Sequence, residues 1–425
     1  MGSMGEISVN IGVIGLGFVG LTTALGFADK GFSVRGYDIN KSRNDTVAAG
    51  QVPFWEPGLE EALTRTLGKR FHIAATSEEI ATCSDVIFLC VGTPTANDGS
   101  ADLRFLLSAA EDICKHAAND RRRLVVVKST VPPGTTADIV LPQLRKQMDD
   151  FDEHFSLAVN PEFLREGYCW EDFSHPDRIV CGIVDAWSEE LLSKIYAPFD
   201  APIQFASPST AEFIKYLSNS LLATLISFSN EMALIAEHVG GIDVGAAFNT
   251  LHQDKRWHGS GITSYIYPGC GYGGYCLPKD TAALSSRAQQ VGFPSRILDG
   301  VISLNADMPL LTAKKIEALA SCRDAKIGIL GLSFKPNSDD VRDTPAAKII
   351  CQLLQDGYNN IIAYDPVASE AFRASYNLNI SSCASKEAVC EACEVVAVVT
   401  TWAEFKGLNN KYPNVKWADC RYFFE

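Results

Sequence analysis

The sequence predicts an α/β protein in which two doubly wound domains with parallel sheets are joined by one long central helix. Three observations predict it. Short, nearly continuous Val/Ile/Leu runs alternate with helical patterns through the first half, as strands buried on both faces of a parallel sheet require. The alternation stops near Ser207, where a single long helical stretch begins. It resumes after Lys326, which predicts a second α/β domain.

In chain order, the strand-like runs of the first half are Ile11–Gly17, Val34–Asp38, Asp85–Val91, Leu124–Thr130, Phe155–Asn160 and Ile179–Val184. The intervals leave room for crossover helices. From Ser209 to Val239 apolar residues recur at helical spacing: Phe213, Tyr216, Leu217, Leu221, Leu225, Phe228, Met232 and Ile235. Ser209, with Glu212 three residues on, predicts the N-cap. Gly240-Gly241 predicts the end. A helix of ~30 residues spans ~45 Å, more than one small domain needs. It is therefore expected to connect domains and to form a homodimer core, since its apolar stripe is otherwise exposed. Lys326–Phe334, Asn360–Asp365 and Val395–Thr400 predict the smaller domain's strands, with an edge strand near Val415–Ala418. The halves share a strand–glycine–helix opening, and no further repeat is expected. The expected domains are 1–207, 208–308 and 309–425.

Composition narrows the function. The 425 residues carry 37 Lys+Arg against 51 Asp+Glu, a net charge of −14. That balance argues against nucleic acid and anionic membrane surfaces as partners. Thirteen cysteines without metal-ligand spacing predict reduced thiols, a cytoplasmic setting and no metal. No run of about 18 apolar residues predicts a membrane helix. The polar opening residues read as no signal peptide, with Met1-Gly2-Ser3-Met4 as an expression remnant.

Gly15-Leu16-Gly17-Phe18-Val19-Gly20 follows an apolar strand and opens a helical run. Glycines so placed permit a tight turn, close backbone approach to a pyrophosphate and close helix packing. The free N–H groups of the helix start then face the phosphates. Asp38 ends the next strand, where a carboxylate bonds ribose hydroxyls and repels a 2′-phosphate. NAD is therefore expected over NADP, in a Rossmann-like domain; Arg43, one turn on, keeps NADP open.

Gly271-Tyr272-Gly273-Gly274-Tyr275-Cys276-Leu277-Pro278-Lys279-Asp280 is the most unusual segment. Its glycines are read as room for a ligand rather than for packing. Pro278 suits the first turn of a helix. Cys276 is then expected at a helix N-terminus beside Lys279, both of which favour the thiolate. Asp280 shares its face. A thiolate beside a nicotinamide implies an aldehyde captured as a thiohemiacetal, oxidised to a thioester and hydrolysed. That chemistry needs an oxyanion partner and a base. Lys215 and Asn219, one turn apart within the apolar helix, are candidates for the first; the plainer reading is an exposed pair. Glu162, in Asn160-Pro161-Glu162-Phe163-Leu164-Arg165-Glu166-Gly167, follows a strand and so falls where α/β sites assemble. Thr130, after Lys128-Ser129, can hold the water. A helix-start carboxylate and a turn hydroxyl are the plainer readings of these two.

Together these motifs resemble the UDP-glucose/GDP-mannose dehydrogenase family, the nucleotide-sugar dehydrogenases. Glu56-Pro57-Gly58-Leu59-Glu60, Val91-Gly92-Thr93-Pro94, Lys128–Gly134, Pro176-Asp177-Arg178-Ile179-Val180, Gly331-Leu332-Ser333-Phe334-Lys335 and Asp340-Val341-Arg342 extend the resemblance over nearly the whole chain. It implies four-electron, NAD-dependent oxidation of a nucleotide sugar, with Cys276 as nucleophile and Lys215 as oxyanion partner. Asn219 and Asp280 would order substrate oxygen and water, and Glu162 and Thr130 would serve thioester hydrolysis. Thr93, Ser129, Thr130, Glu166, Lys279 and Arg342 join Gly15, Gly17, Phe18, Val19, Gly20, Asp38 and Arg43 on the cofactor side. Phe163, Leu164, Tyr265, Tyr272, Gly273, Phe334 and Lys335 join Glu162, Lys215 and Asn219 on the substrate side. The 160–167 sequence resembles the branch that oxidises UDP-glucose to UDP-glucuronate. In that branch an arginine reaches the sugar from a neighbouring subunit. Here Asp254-Lys255-Arg256-Trp257-His258 takes that place, with a longer spacer to Cys276, and Arg256 is the matching residue.

Overall fold

The computed structural model describes residues 9–96, 98–117, 120–257, 259 and 261–424. The opening Met1–Met4 segment and His258 lie outside them. The chain divides into two compact units, Met1–Leu217 and Ser218–Glu425.

The first unit is built on one eight-stranded sheet. Its strands are β1 (Asn10–Ile14), β2 (Ser33–Tyr37), β3 (Phe71–Ile73), β4 (Val86–Leu89), β5 (Arg123–Val127), β6 (Phe155–Val159), β7 (Ile179–Ile183) and β8 (Ile203–Ala206). They lie in the order 3-2-1-4-5-6-7-8. The first six are parallel, with Ile11 paired to Val34 on one side and to Val86 on the other. β4, β5 and β6 are buried along their whole length, which is why they read as nearly continuous apolar runs, broken only by the buried Arg123 and Ser156. β7 turns antiparallel to β6, and β8 follows it in parallel. Phe27 of the helix Phe18–Asp29 packs against Phe32, Phe88, Phe173, Tyr196 and Phe199, with ring centroids 5.2 to 5.8 Å away. That aromatic hub seats the helix on the sheet and so aims its N-terminus at the strand ends.

The second unit carries a five-stranded parallel sheet: β9 (Ile327–Leu330), β10 (Ile361–Tyr364), β11 (Ser381–Ser382), β12 (Val395–Val398) and β13 (Lys416–Asp419), in the order 11-10-9-12-13. This repeats the order of the first five strands. The repeat extends to residues: Ile11-Gly12-Val13-Ile14-Gly15-Leu16-Gly17-Phe18 corresponds to Ile327-Gly328-Ile329-Leu330-Gly331-Leu332-Ser333-Phe334. Gly15 N donates to Tyr37 O (2.8 Å), and Gly331 N to Tyr364 O (2.9 Å). Leu16 N donates to Asp38 (2.7 Å), and Leu332 N to Asp365 (2.8 Å). The expectation of no residue-level repeat is thereby corrected. A loop follows Phe334 where the first unit has a helix, so the match is short and easily passed over.

The long helix is Pro208–Val239. Its start corrects the expected cap. Ser207 Oγ, not Ser209, accepts from Thr210 N at 3.3 Å. Glu212 makes no capping box, because its buried carboxylate accepts from Gly134 N (2.7 Å) and Thr136 N (2.8 Å) instead. Gly240 and Gly241 end the helix at φ 77° and 71°, the left-handed conformation that glycine tolerates. Phe213, Leu217, Leu221, Phe228 and Ile235 are exposed along it. Among the described residues no helix is long and apolar enough to cross a membrane. β3 and β11 are too short to carry a periodic signal, and β8 is broken by Gln204, so none of the three is foreseen.

Removing the Glu212 carboxylate strands two buried N–H donors. Glu212→Ala is expected to destabilise the first unit by about 2–3 kcal/mol, read as a lower urea midpoint by circular dichroism. An unchanged midpoint would mean the Pro132–Thr136 turn holds itself.

Candidate active site

The cofactor end of the first unit is set by β1 and the turn after it. Gly15 adopts φ 91°, and a Cβ there would lie 2.7 Å from Cys90 O. A Cβ on Gly20 would lie 1.7 Å from Gly15 O, so only glycine lets the helix close on the strand. Gly17 is different: nothing lies within 4 Å of its would-be Cβ. The open face at Gly17, ahead of the unbonded N–H groups of Phe18 and Val19, fits a pyrophosphate. Asp38 is buried, and its Oδ2 accepts from Leu16 N (2.7 Å) and Arg43 Nη1 (2.8 Å). Arg43 is thus held by the carboxylate that a 2′-phosphate would have to face, an arrangement that suits NAD.

Three segments at the carboxyl ends of β4, β5 and β6 are tied together. Ser129 Oγ donates to Val91 O at 2.6 Å, and Thr93 Oγ1 donates to Thr130 O at 2.8 Å. Lys128 Nζ donates to Asn160 Oδ1 at 2.7 Å. Glu162 Oε1 then meets Lys215 Nζ at 3.0 Å, with both side chains nearly excluded from solvent at 7% and 6% exposure. Leu164 N donates to the other carboxylate oxygen at 2.5 Å. The Lys215 ammonium also lies 5.4 Å from the Phe163 ring. Lys215 is therefore a buried ion-pair member, and the exposed-pair reading is discarded. Glu166 is half-buried in the same loop.

In the second unit, Gly271 to Gly274 is packed tightly, which corrects the reading of its glycines as ligand space. A Cβ on Gly271 would lie 2.8 Å from Asn305 Oδ1, one on Gly273 2.4 Å from Asp343 O, and one on Gly274 2.9 Å from the Phe334 ring. Asn305 fixes Tyr272 from both sides, accepting from its N–H (2.7 Å) and donating to its carbonyl (3.0 Å). Cys276 opens the helix Cys276–Gln290 and is exposed. Lys279 Nζ donates to Asp280 Oδ1 at 2.6 Å, and Asn219 Nδ2 donates to Asp280 Oδ2 at 2.6 Å. A helix N-terminus favours a thiolate at Cys276. Tyr275 lies between two cations, Lys279 at 5.5 Å and Arg342 at 4.6 Å from its ring centroid. Arg342 is also bonded to Asp340 (2.6 Å). Lys335 and Phe334 are half-buried beside that loop, Tyr265 is half-buried in the turn Gly261–Tyr265, and Arg256 is exposed on Asp254 (2.6 Å).

Several other thiols are sealed in. Burial pushes Cys90, Cys114, Cys181 and Cys393 up to about 12 and Cys390 to about 11. Cys270 goes the other way, to about 7, through its hydrogen bond with Cys420, but it is wholly buried.

Family models match in sequence along the chain: the NAD binding domain of the UDP-glucose/GDP-mannose dehydrogenase family over residues 9–200, its central domain over 209–307, and its UDP binding domain over 328–424. The chain belongs to the UDP-glucose/GDP-mannose dehydrogenase family. A UDP-glucose 6-dehydrogenase of Bacillus subtilis (YwqF) is 38% identical over 400 residues, covering 94% of this chain and 89% of the relative. One from Pseudomonas aeruginosa is 38% identical over 409 residues, covering 93% and 88%. The structure of a UDP-glucose dehydrogenase from Pyrobaculum islandicum matches with a TM-score of 0.89 at 39% identity, covering 96% of this chain and 93% of that one.

Four residues outside the expected set support the family site. Glu56 holds the Glu162 loop from below: its buried carboxylate accepts from Gly167 N (2.7 Å) and Cys169 N (2.8 Å). Glu212 does the same for the turn after Thr130. Tyr275 and Asn305 hold the cysteine segment. Glu56 and Tyr275 stood in noticed motifs and Glu212 was read as part of a cap; Asn305 sits mid-helix with no sequence signal. The glycine contrast is testable. Gly17→Ala is expected to weaken NAD binding about tenfold while changing stability by no more than about 0.5 kcal/mol. Gly20→Ala is expected to lose stability as well, by about 1–3 kcal/mol. NAD titration beside thermal melts separates them, and equal melting losses in both would contradict the assignment of Gly17 to the phosphates.

Proposed function

We propose that the chain oxidises UDP-glucose to UDP-glucuronate as a UDP-glucose 6-dehydrogenase, consuming two NAD⁺ and one water per sugar. Cys276 carries the reading: an exposed thiol at a helix start, one turn from an Asp280 already bonded to Asn219 and Lys279. Relatives named for this reaction support it over other nucleotide sugars. NAD, when bound, supplies the hydride acceptor for both oxidations.

The chain's own groups do the rest. Cys276 adds to the C6 aldehyde and holds the carbon as a thiohemiacetal, then as a thioester. Lys215 meets the oxygen that gathers negative charge. Its partner Glu162 is then free to take a proton from the attacking water, which Thr130 holds. Asn219 and Asp280 order the substrate oxygen. Phe163, Leu164, Tyr265, Tyr272, Gly273 and Phe334 contribute to the nucleotide-sugar pocket, and Lys335 answers its diphosphate, a cation that a −14 chain must supply locally. Thr93, Ser129, Glu166, Lys279 and Arg342 serve the cofactor, and exposed Arg256 serves the sugar of a neighbouring subunit. Residues 1–207 are assigned to NAD, 208–308 to the central segment and 309–425 to the UDP-sugar. The exposed stripe Phe213, Leu217, Leu221, Phe228 and Ile235 supports a homodimer. Free cysteines throughout the described chain suit the reducing cytoplasm.

A panel of UDP-glucose, UDP-galactose, UDP-N-acetylglucosamine and GDP-mannose tests the reading. UDP-glucose is expected to be the preferred substrate, with two NADH released per sugar; equal turnover of the four, or one NADH per sugar, contradicts it. Cys276→Ser is expected to bind NAD normally and form no carboxylate. Wild-type turnover in that variant would refute the thioester route.

A further inference from the structure

Lys128 has no role in the mechanism above, yet it is one of the most enclosed charges in the chain. It is 4% exposed at the end of β5. Its ammonium donates to Asn160 Oδ1 at 2.7 Å and lies 5.9 Å from the Phe88 ring centroid and 5.8 Å from that of Phe173. Among the described residues no carboxylate stands within ion-pair distance of it. Carbonyl oxygen and two ring faces are how a protein keeps a buried cation without cancelling its charge.

The groups facing it are few. Cys90 and Cys181 are held protonated by burial, at about 12. Tyr196, which donates to the same Asn160 Oδ1 at 2.5 Å, is pushed well above its usual range by burial. None carries charge at neutral pH. The ammonium also lies 3.5 Å from the backbone oxygen of Asn160, two residues before Glu162, which in turn holds Lys215. Burial lowers the Lys128 pKa; Glu162 opposes that shift, and Lys215 adds to it. With both lysines as ammonium and Glu162 as carboxylate, the cluster carries +1.

That surplus has a use, on the proposed reading of the site. When Lys215 turns to the substrate oxygen, Glu162 loses its 3.0 Å partner and stays buried. A buried carboxylate with no cation near it takes up a proton and ceases to be a base. We propose that Lys128 is a positioning residue for thioester hydrolysis: its buried ammonium keeps Glu162 ionised while Lys215 serves the substrate. Asn160, bonded to Val180 O at 2.9 Å through its Nδ2, holds Lys128 in place.

The test is the pH dependence of kcat in wild type, Lys128→Met and Lys128→Arg. Met keeps the length and removes the charge. Its acid limb is expected to move up by about one pH unit, with the rate recovering above the limb, and Arg is expected to restore the wild-type limb. A limb that stays put while the rate falls equally at every pH would reduce Lys128 to packing and overturn the proposal. Should the Met variant fail to fold, Asn160→Asp serves: its carboxylate cancels the Lys128 charge, so the limb must again move up, and an unmoved limb overturns the proposal. A wild type that releases no NADH from UDP-glucose counts against the proposed substrate instead. The limb comparison is then made on whichever nucleotide sugar is turned over.

Discussion

On the proposed mechanism, the ion pair between Glu162 and Lys215 is the contact on which the first unit's chemistry depends. Both groups are almost wholly buried. Taking two charges out of water costs several kcal/mol each, and a single pair rarely recovers it. The surrounding structure shows how the pair is kept. Leu164 N satisfies the second carboxylate oxygen, the Phe163 ring faces the ammonium, and Glu56 and Glu212 clamp the backbone on either side. On the proposed mechanism its members must also separate to meet a substrate, and the supports keep Glu162 in place when they do.

The duplicated sheet shows a second constraint. Both copies place an aspartate at the end of the second strand, reaching the backbone after the first. In the first unit Asp38 stands beside the open face of Gly17. In the second, Asp365 Oδ2 also accepts from Ser333 and from the Trp402 indole (3.1 Å each). Ser333 replaces the open glycine, and the tryptophan occupies the carboxylate that would read a ribose. The same frame is open to a dinucleotide once and closed once, by two side chains.

Strand runs with four or more apolar residues, the long helix and the cysteine helix were legible in the sequence, because burial on both faces and helical spacing write themselves into residue order. Glu162, Lys215, Asn219 and Asp280 stood out in the sequence, and the structure pairs Glu162 with Lys215 and Asn219 with Asp280. Partners across long sequence distances were not legible. Glu212 looked like a capping residue because its bonds to Gly134 and Thr136 span more than seventy positions. The glycines at 271–274 looked like room for a ligand because Asn305, Asp343 and Phe334, which fill that room, lie far along the chain. Lys128 looked like a strand-end lysine, with nothing to say that it was sealed in.

The central claim is that Glu162 activates water against a thioester on Cys276 while Lys215 faces the substrate oxygen. Intact-protein mass spectrometry of Glu162→Gln after mixing with UDP-glucose and NAD⁺ tests it most directly. Glu162→Gln is expected to carry a covalent adduct with the mass of a UDP-glucuronyl group, mapped to Cys276 and absent from the Glu162→Gln, Cys276→Ser double variant. A Glu162→Gln protein that turns over at the wild-type rate and carries no adduct would contradict it.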